Sequence, residues 1–314
     1  MIKKIIKNAG KGTLGQTSKN YIHNLPKNTK MNLLAKNPDK GTIQVKLTNG
    51  AGNNIFQYVY SRLLAEKYGL NISCEGLDLL DIPATYYRSN KKLDTVKIDT
   101  NETDFHQYFK LKELHNFIVY AYPEDYTIYK PHLDRIRTWF KDIPKTNNED
   151  LVFHLRLGDR LFYKYSYDKR MLVKPEEYLK VIEKFNFNKL YIVADMKVWK
   201  PINPKEVEKM KFHVHVPKES RIDPEVSASY FNSLYDSFSE LNPIVRINHS
   251  VKDDFNFMRS FDKILFQHGT LSWWAAALSH ASQVGVFGPW RPTDGKMNKN
   301  LGKTDFIGWF SWGN

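Results

Sequence analysis

The stretch Leu151-Val152-Phe153-His154-Leu155-Arg156-Leu157-Gly158-Asp159 constrains this chain more than any other. Leu151, Phe153, Leu155 and Leu157 form one apolar row at period two, and Val152, His154 and Arg156 form the opposite row. Gly158 and Asp159 then break the strand. In an open α/β sheet, ligands sit in the crevice beyond the carboxyl ends of the strands, so His154 and Arg156 are expected to face that crevice together. An arginine held there offers a fixed fork of donors suited to a phosphate pair. The plainer alternative is that Arg156 pairs with a carboxylate and His154 is a packed core histidine.

Around this stretch the pattern alternates. Thr42 to Thr48 reads as a strand, Asn49 to Asn53 as a tight turn, and Ile55, Phe56, Val59, Leu63 and Leu64 as a helix stopped by Gly69. Residues 76–126 are Tyr-rich and polar and give no clear element. Ile128 to Phe140 reads as helix, and Ile143 to Asp150 as a linker. Strands follow at Leu151 to Arg156, Leu190 to Ala194, Phe212 to Val216, Ile264 to Phe266 and Val284 to Phe287. Helices fall at Pro175 to Phe185, Asp254 to Phe261 and Ser272 to Leu278. Strands alternating with helices imply parallel sheet covered on both faces.

The chain has 314 residues, 41% of them hydrophobic and 26% charged, enough for two packed domains. Its net charge of +13, from 47 Lys and Arg against 34 Asp and Glu, favours anionic partners: nucleotide-sugars, nucleic acid or an acidic membrane surface. Cys74 is the single cysteine, so no intramolecular disulfide forms, which fits a reducing compartment. No apolar run is long enough for a membrane-spanning helix, and the opening Met-Ile-Lys-Lys-Ile-Ile-Lys lacks the apolar core of a signal peptide. A soluble cytoplasmic protein is expected, with peripheral contact at the cytosolic membrane face allowed.

Gly50-Ala51-Gly52, between strand and helix, half-matches a dinucleotide turn, but Ile55 stands where its third glycine belongs. The expectation is a backbone that lets a ligand approach closely, with Asn53 or Asn54 offering an amide. Gln267 to Trp274 follows a strand and opens a helix. Thr270 and Ser272 lie near the helix start, where free N–H groups and the dipole attract phosphate; simple capping is the plainer alternative. The pair Trp273-Trp274 reads as core. His213 and His215 alternate on a strand without further ligands at metal spacing, and no Asp-x-Asp, Gly-x-Ser-x-Gly or Walker loop is present.

Five blocks stand in order between roughly residues 43 and 290: Thr48-Asn-Gly-Ala-Gly52-Asn53-Asn54-Ile55-Phe56-Gln57-Tyr58, Phe105-His-Gln-Tyr108-Phe109, His154-Leu-Arg156-Leu-Gly158-Asp159, Ile192-Val-Ala-Asp195 with Trp199, and Asp254 through Gly269-Thr270-Leu271-Ser272-Trp273-Trp274. Together they resemble the α-1,2-fucosyltransferase family. That resemblance implies an α/β fold of GT-B type, two Rossmann-like lobes whose parallel sheets face a cleft. It divides the chain into a basic extension at 1–40, a first, acceptor-side lobe at 41–145, a second lobe binding the GDP-sugar at 146–290, and a C-terminal segment at 291–314. It implies inverting transfer of L-fucose from GDP-fucose to a glycan hydroxyl without a metal or other cofactor. Arg156 would hold the diphosphate with His154 beside it, and Thr270, Leu271 and Ser272 would meet the β-phosphate. Asp254 would read guanine, Asp195 would belong to the donor site, and Gly52, Asn53 and Asn54 would close over donor or acceptor. Arg156 and Asp159 are the catalytic candidates.

The chain departs from the family where a second arginine is Leu157 and a second aspartate is Met196. The opening block carries Ala51 and Asn54 in place of Leu and Gln. Another GDP-sugar or a peptide acceptor is the alternative enzyme. A basic nucleic-acid-binding protein is the alternative of a different class, although no helix-turn-helix or RNA-binding signature occurs.

Overall fold

The computed structural model describes residues 40–48, 50–168, 172–210, 217–267, 269–287, 301, 304–306 and 308–312. Strands β1 (Thr42–Val45), β2 (Asn71–Ser73), β3 (Thr95–Ile98) and β4 (Asn116–Val119) form one sheet in the order β2-β1-β4-β3. Strands β5 (Asn147–Leu155), β6 (Leu190–Ala194), β7 (Ile244–Arg246), β8 (Phe261–Gln267), β9 (Gln283–Phe287) and β10 (Trp309–Trp312) form a second, in the order β10-β9-β8-β5-β6-β7. Every pairing in both sheets is parallel. The α/β class with two parallel sheets is therefore as expected. In the second sheet the chain steps outward from β5 through β6 to β7. It then returns to the other side of β5 with β8 and continues to β9 and β10. That is the doubly wound order, and its switch point lies between β5 and β8.

Among the described residues, the helices of eight or more residues that pack on these sheets are α1 (Ala51–Tyr68), α2 (Pro175–Ile182), α3 (Pro224–Ser239), α4 (Val251–Arg259) and α5 (Thr270–Ala277). The two rows of β5 go to different cores, as the alternation requires. Leu151, Phe153, Leu155 and Leu157 pack with Tyr178 of α2 and with Phe231, Leu234 and Phe238 of α3. Val152 packs with Phe255 and Met258 of α4 and Trp273 and Trp274 of α5, so His154 and Arg156 share the face that these helices cover.

That second core is continuous with the first lobe. It runs from Ile43, Val59 and Phe117 through Phe56 and Tyr129 to both tryptophans, which are fully buried. The Phe56 ring centroid lies 5.3 Å from Trp273 and 4.9 Å from Trp274, and Tyr129 lies 5.3 Å from Trp274. Such ring pairs add about 0.5–1.5 kcal/mol each beyond the area they bury. At the front of this contact Gly52 meets α5: a Cβ there would collide with the backbone of Thr270 and Leu271. The residue that the sequence assigns to close approach of a ligand is instead needed for close approach of a helix. Lys252 to Asp81 (2.5 Å), Arg137 Nε to the Ala277 carbonyl (2.9 Å) and His280 to Asp142 (2.6 Å) pin the lobes around it.

Several elements differ from expectation. β5 begins at Asn147, inside the expected linker, because Asn147 pairs with Phe261 of β8 beyond a register shift. Residues 76–126 contain β3 and β4, and β4 lies between β1 and β3 in the first sheet. The helix expected over Ile128 to Phe140 is short pieces, Tyr126–Tyr129, a 3₁₀ turn at Lys130–His132 and Leu133–Arg137. β2, α3, β7 and β10 are additional to the expected elements. β10 adds to the second sheet beside β9, while Trp273 Nε1 donates to Thr304 Oγ1 at 2.9 Å; the C-terminal segment is thus part of both cores. The extension at 1–39, the strand expected at Phe212 to Val216 with His213 and His215, and most of 291–314 lie outside the described residues.

Gly52→Ala is expected to destabilise the protein by at least about 1–3 kcal/mol, because the obstructing atoms belong to backbone and cannot rotate aside. Urea unfolding of the two proteins at one pH measures it.

Candidate functional site

The switch point between β5 and β8 is where the expected residues gather. His154 is the second-last residue of β5, and α5 begins three residues after β8 ends. His154 Nδ1 lies 2.6 Å from Ser272 Oγ, both side chains being buried. Strand end and helix start therefore meet at one place. α5 begins at an N-cap of Gly269, with no side-chain cap and no acid in its first turn. Neither Thr270 nor Ser272 caps it, so the capping alternative fails. α1 likewise begins at Gly50 without a side-chain cap or a first-turn acid. Since Gly52 touches Thr270 and Leu271, two uncapped helix starts lie against each other, each with partial positive charge and unsatisfied N–H groups.

Arg156 stands beside this place and is committed in part. Its Nη2 bonds Asp159 Oδ1 at 3.2 Å, and its Nε lies 3.8 Å from Asp195 Oδ2 with no hydrogen bond of its own. The plainer alternatives thus both hold in this state, Arg156 pairing with carboxylates and His154 packing. The Arg156 side chain nevertheless remains 37% exposed. Asp195 is mainly a loop residue: its Oδ1 accepts from the backbone N–H of Leu157 and of Gly158, each at 2.7 Å. Gly158 has φ +22° and no room for a Cβ against Asp195, so this carboxylate shapes the turn rather than standing open to a donor.

Leu157, where the resemblance expects a second arginine, is buried in the core below the sheet. The turn Gly158–Leu161 brings Arg160 instead, close enough to act on Arg156, Asp159, Asp195 and His154. Burial first, and then Arg156, push the Arg160 guanidinium down to about 10. Its spacing of four from Arg156 is the signal that sequence offers for it. Burial also pushes His154 down to about 4; Asp195 opposes this, and Arg156 and Arg160 add to it.

The remaining expected residues divide. Asn54 Oδ1 accepts from the Thr48 backbone N–H (2.8 Å) and hydroxyl (3.1 Å), so it secures the turn before α1 rather than offering an amide to a ligand. Asn53 lies half-buried at the α1 start, against Gly50. Leu271 sets its backbone N against Gly52 and is a packing residue. Asp254, on α4, faces Arg246 across 3.6 Å, and the Arg246 guanidinium lies 3.9 Å above the Phe257 ring. Burial raises the Asp254 carboxyl, with Arg246 acting against it. Sequence does not single out Arg246, because only the sheet reveals it. It is in register with Val193, which is in register with His154, so the Arg246–Asp254 pair sits on the His154 face two strands away, about 10 Å at the usual strand spacing.

No family model matches the chain, and no curated protein matches it. Among solved structures, the crystal structure of the α-1,6-fucosyltransferase NodZ soaked with GDP-fucose aligns over 78% of this chain and 94% of its own, at 9% identity and a TM-score of 0.36. Among the described residues no group of three or more His, Cys, Asp or Glu side chains is arranged to hold a metal, and no helix is long and apolar enough to cross a membrane.

The buried neutral His154 ties stability to pH. Its ordinary value is 6.5 and its folded value about 4, so below 6.5 the unfolded chain takes up a proton that the folded one refuses. Its contribution is complete above about pH 6.5 and falls by up to about 3 kcal/mol as pH drops through 4. The loss of unfolding free energy between pH 7 and pH 4.5 is expected to be smaller by about 2 kcal/mol in His154→Gln than in the unaltered protein, measured by urea titration at each pH.

Proposed function

We propose that this protein is a glycosyltransferase that takes a sugar from a nucleoside diphosphate at the β5–β8 switch point. On the resemblance of its motifs the donor is GDP-fucose, and the product is an α-1,2-linked fucoside formed with inversion on a glycan hydroxyl. One observation carries the reading: two helix starts without caps or acids converge beside Arg156 and Arg160, where a doubly wound sheet receives its ligand. A diphosphate supplies the negative charge that this arrangement lacks.

In the reaction the bond from the anomeric carbon to the diphosphate lengthens first, leaving an oxocarbenium-like ring and charge growing on the leaving group. Donors fixed in place before that charge appears stabilise it without reorganising. Arg156, with Arg160 behind it, and the N–H groups at the start of α5 fill this role, and the chemistry asks for no metal. Asp159 orients the Arg156 fork by its bond at 3.2 Å. Asp254 is assigned to the base on the resemblance alone; its pairing with Arg246, on the His154 face of the sheet, is compatible with that role. The first lobe, through the Gly50–Asn54 turn, borders the acceptor side. The protein works as a soluble enzyme, with the membrane face open to it as a place of action.

Titration with GDP, UDP, pyrophosphate and an oligonucleotide tests the class: diphosphates bind saturably, whereas a nucleic-acid binder ignores GDP and shows steep salt dependence. Donor hydrolysis across GDP-fucose, GDP-mannose and UDP-sugars then names the sugar. Arg156→Ala is expected to fold with a loss of no more than about 1 kcal/mol, since its ion pairs are partly exposed. It should lose about 3 kcal/mol of transition-state stabilisation, a fall in turnover of roughly a hundredfold or more. Near-normal turnover would remove Arg156 from the site.

A further inference from the structure

We infer that Ser272 fixes His154 in the tautomer that carries its proton on Nε2, so that the ring meets a ligand as a neutral hydrogen-bond donor and not as a base. The identity of that ligand rests on the function proposed above; the tautomer does not.

The placement of one hydrogen decides the tautomer. Ser272 is fully buried, and the neighbour of its Oγ is His154 Nδ1 at 2.6 Å; no other polar partner of this hydroxyl exists among the described residues. A hydroxyl has one proton to place, and a buried donor left without an acceptor is costly. If Nδ1 carried a proton and donated to Oγ, the serine proton would be stranded. If Oγ donates to Nδ1, both atoms are satisfied. Nδ1 is therefore the acceptor, and a neutral ring must then hold its proton on Nε2. Burial and the nearby Arg156 and Arg160 keep the ring neutral.

Nε2 has no protein partner among the described residues, yet it is not among the buried unpartnered nitrogens. Nε2 therefore keeps some exposed surface, one residue before the carboxyl end of β5. A proton there, on a ring fixed by a contact spanning 118 residues of sequence, is a preset donor for a phosphate oxygen. The same tautomer has no lone pair on Nε2, so His154 does not deprotonate the acceptor. Ser272 is then a positioning residue: it acts through His154.

Long-range ¹H–¹⁵N correlation spectra of the full-length protein read the tautomer directly, with His154 assigned by its disappearance in His154→Gln. The expected pattern is a protonated Nε2 and an unprotonated Nδ1, unchanged between pH 5.5 and pH 8. Ser272→Ala removes the donor. It should keep its helix, because Ser272 is not a cap and alanine favours helix. In that variant the His154 signals should move to a mixture of tautomers, and the Kd for GDP should rise about 3- to 10-fold. Ser272→Thr, which keeps a hydroxyl, should restore both. Wild-type spectra with the proton on Nδ1 overturn the inference, as does a Ser272→Ala protein with unaltered tautomer. Protein that shows the Nε2 tautomer but binds neither GDP nor pyrophosphate upholds the inference and overturns the diphosphate reading instead.

Discussion

The contact between Gly52 and the backbone of Thr270 and Leu271 is the constraint on which the rest depends. It brings together two helix ends that repel, because each concentrates unpaired N–H groups and partial positive charge. The aromatic cluster directly behind them, Phe56, Tyr129, Trp273 and Trp274, holds them there. At the other end of α5, Arg137 donates to the Ala277 carbonyl and Arg259 reaches the Leu278 carbonyl. The negative end of the helix is thus satisfied by protein while the positive end is not. This asymmetry leaves the partial positive charge of the α5 start uncompensated by side chains.

Much of the second lobe was legible in sequence because its strands are buried on both faces and leave an unambiguous apolar record. Leu190–Ala194 matches its expected span, and the two rows of β5 part to separate cores as their alternation requires. The first lobe was harder for a physical reason. β4 begins with Asn116, whose buried side chain accepts from the backbone N–H of Thr42 and Asn90 and donates to the carbonyls of Asn90 and Leu93. A polar residue that ties down a turn from inside a core breaks any hydrophobic period. The start of β5 was hidden in a similar way: Asn147 to Asp150 read as linker, and only the neighbouring β8 makes strand of them. α3 was missed for another reason: Asp223-Pro224 stands at its start, but its apolar residues at 231, 234 and 238 are interrupted by Ser, Asn and Asp.

For the candidate site, sequence proposed residues but not their partners. His154, Arg156, Thr270 and Ser272 could be placed at strand ends and helix starts, and the return of the chain to β8 then brings Ser272 to His154. Which carboxylate holds Arg156, and that Asp254 answers to Arg246, depend on neighbours from other strands and turns and leave no trace in local pattern. The substitution at Leu157 illustrates the same limit. Read in line it subtracts a charge; in space it seals the core, and the turn that follows brings Arg160 near Arg156, Asp159 and Asp195.

The doubly wound order has a consequence for how the chain assembles. β5 is central in the finished sheet, but its second neighbour, β8, arrives more than a hundred residues later, after β6 and β7 have been laid down. In any intermediate built from β5 to β7, one side of β5, whose last five residues are buried in the finished sheet, is an open edge, the kind that pairs with other chains. The arrival of β8 both protects that edge and delivers α5, with Ser272, to His154, so the edge is covered and the candidate site assembled in one step.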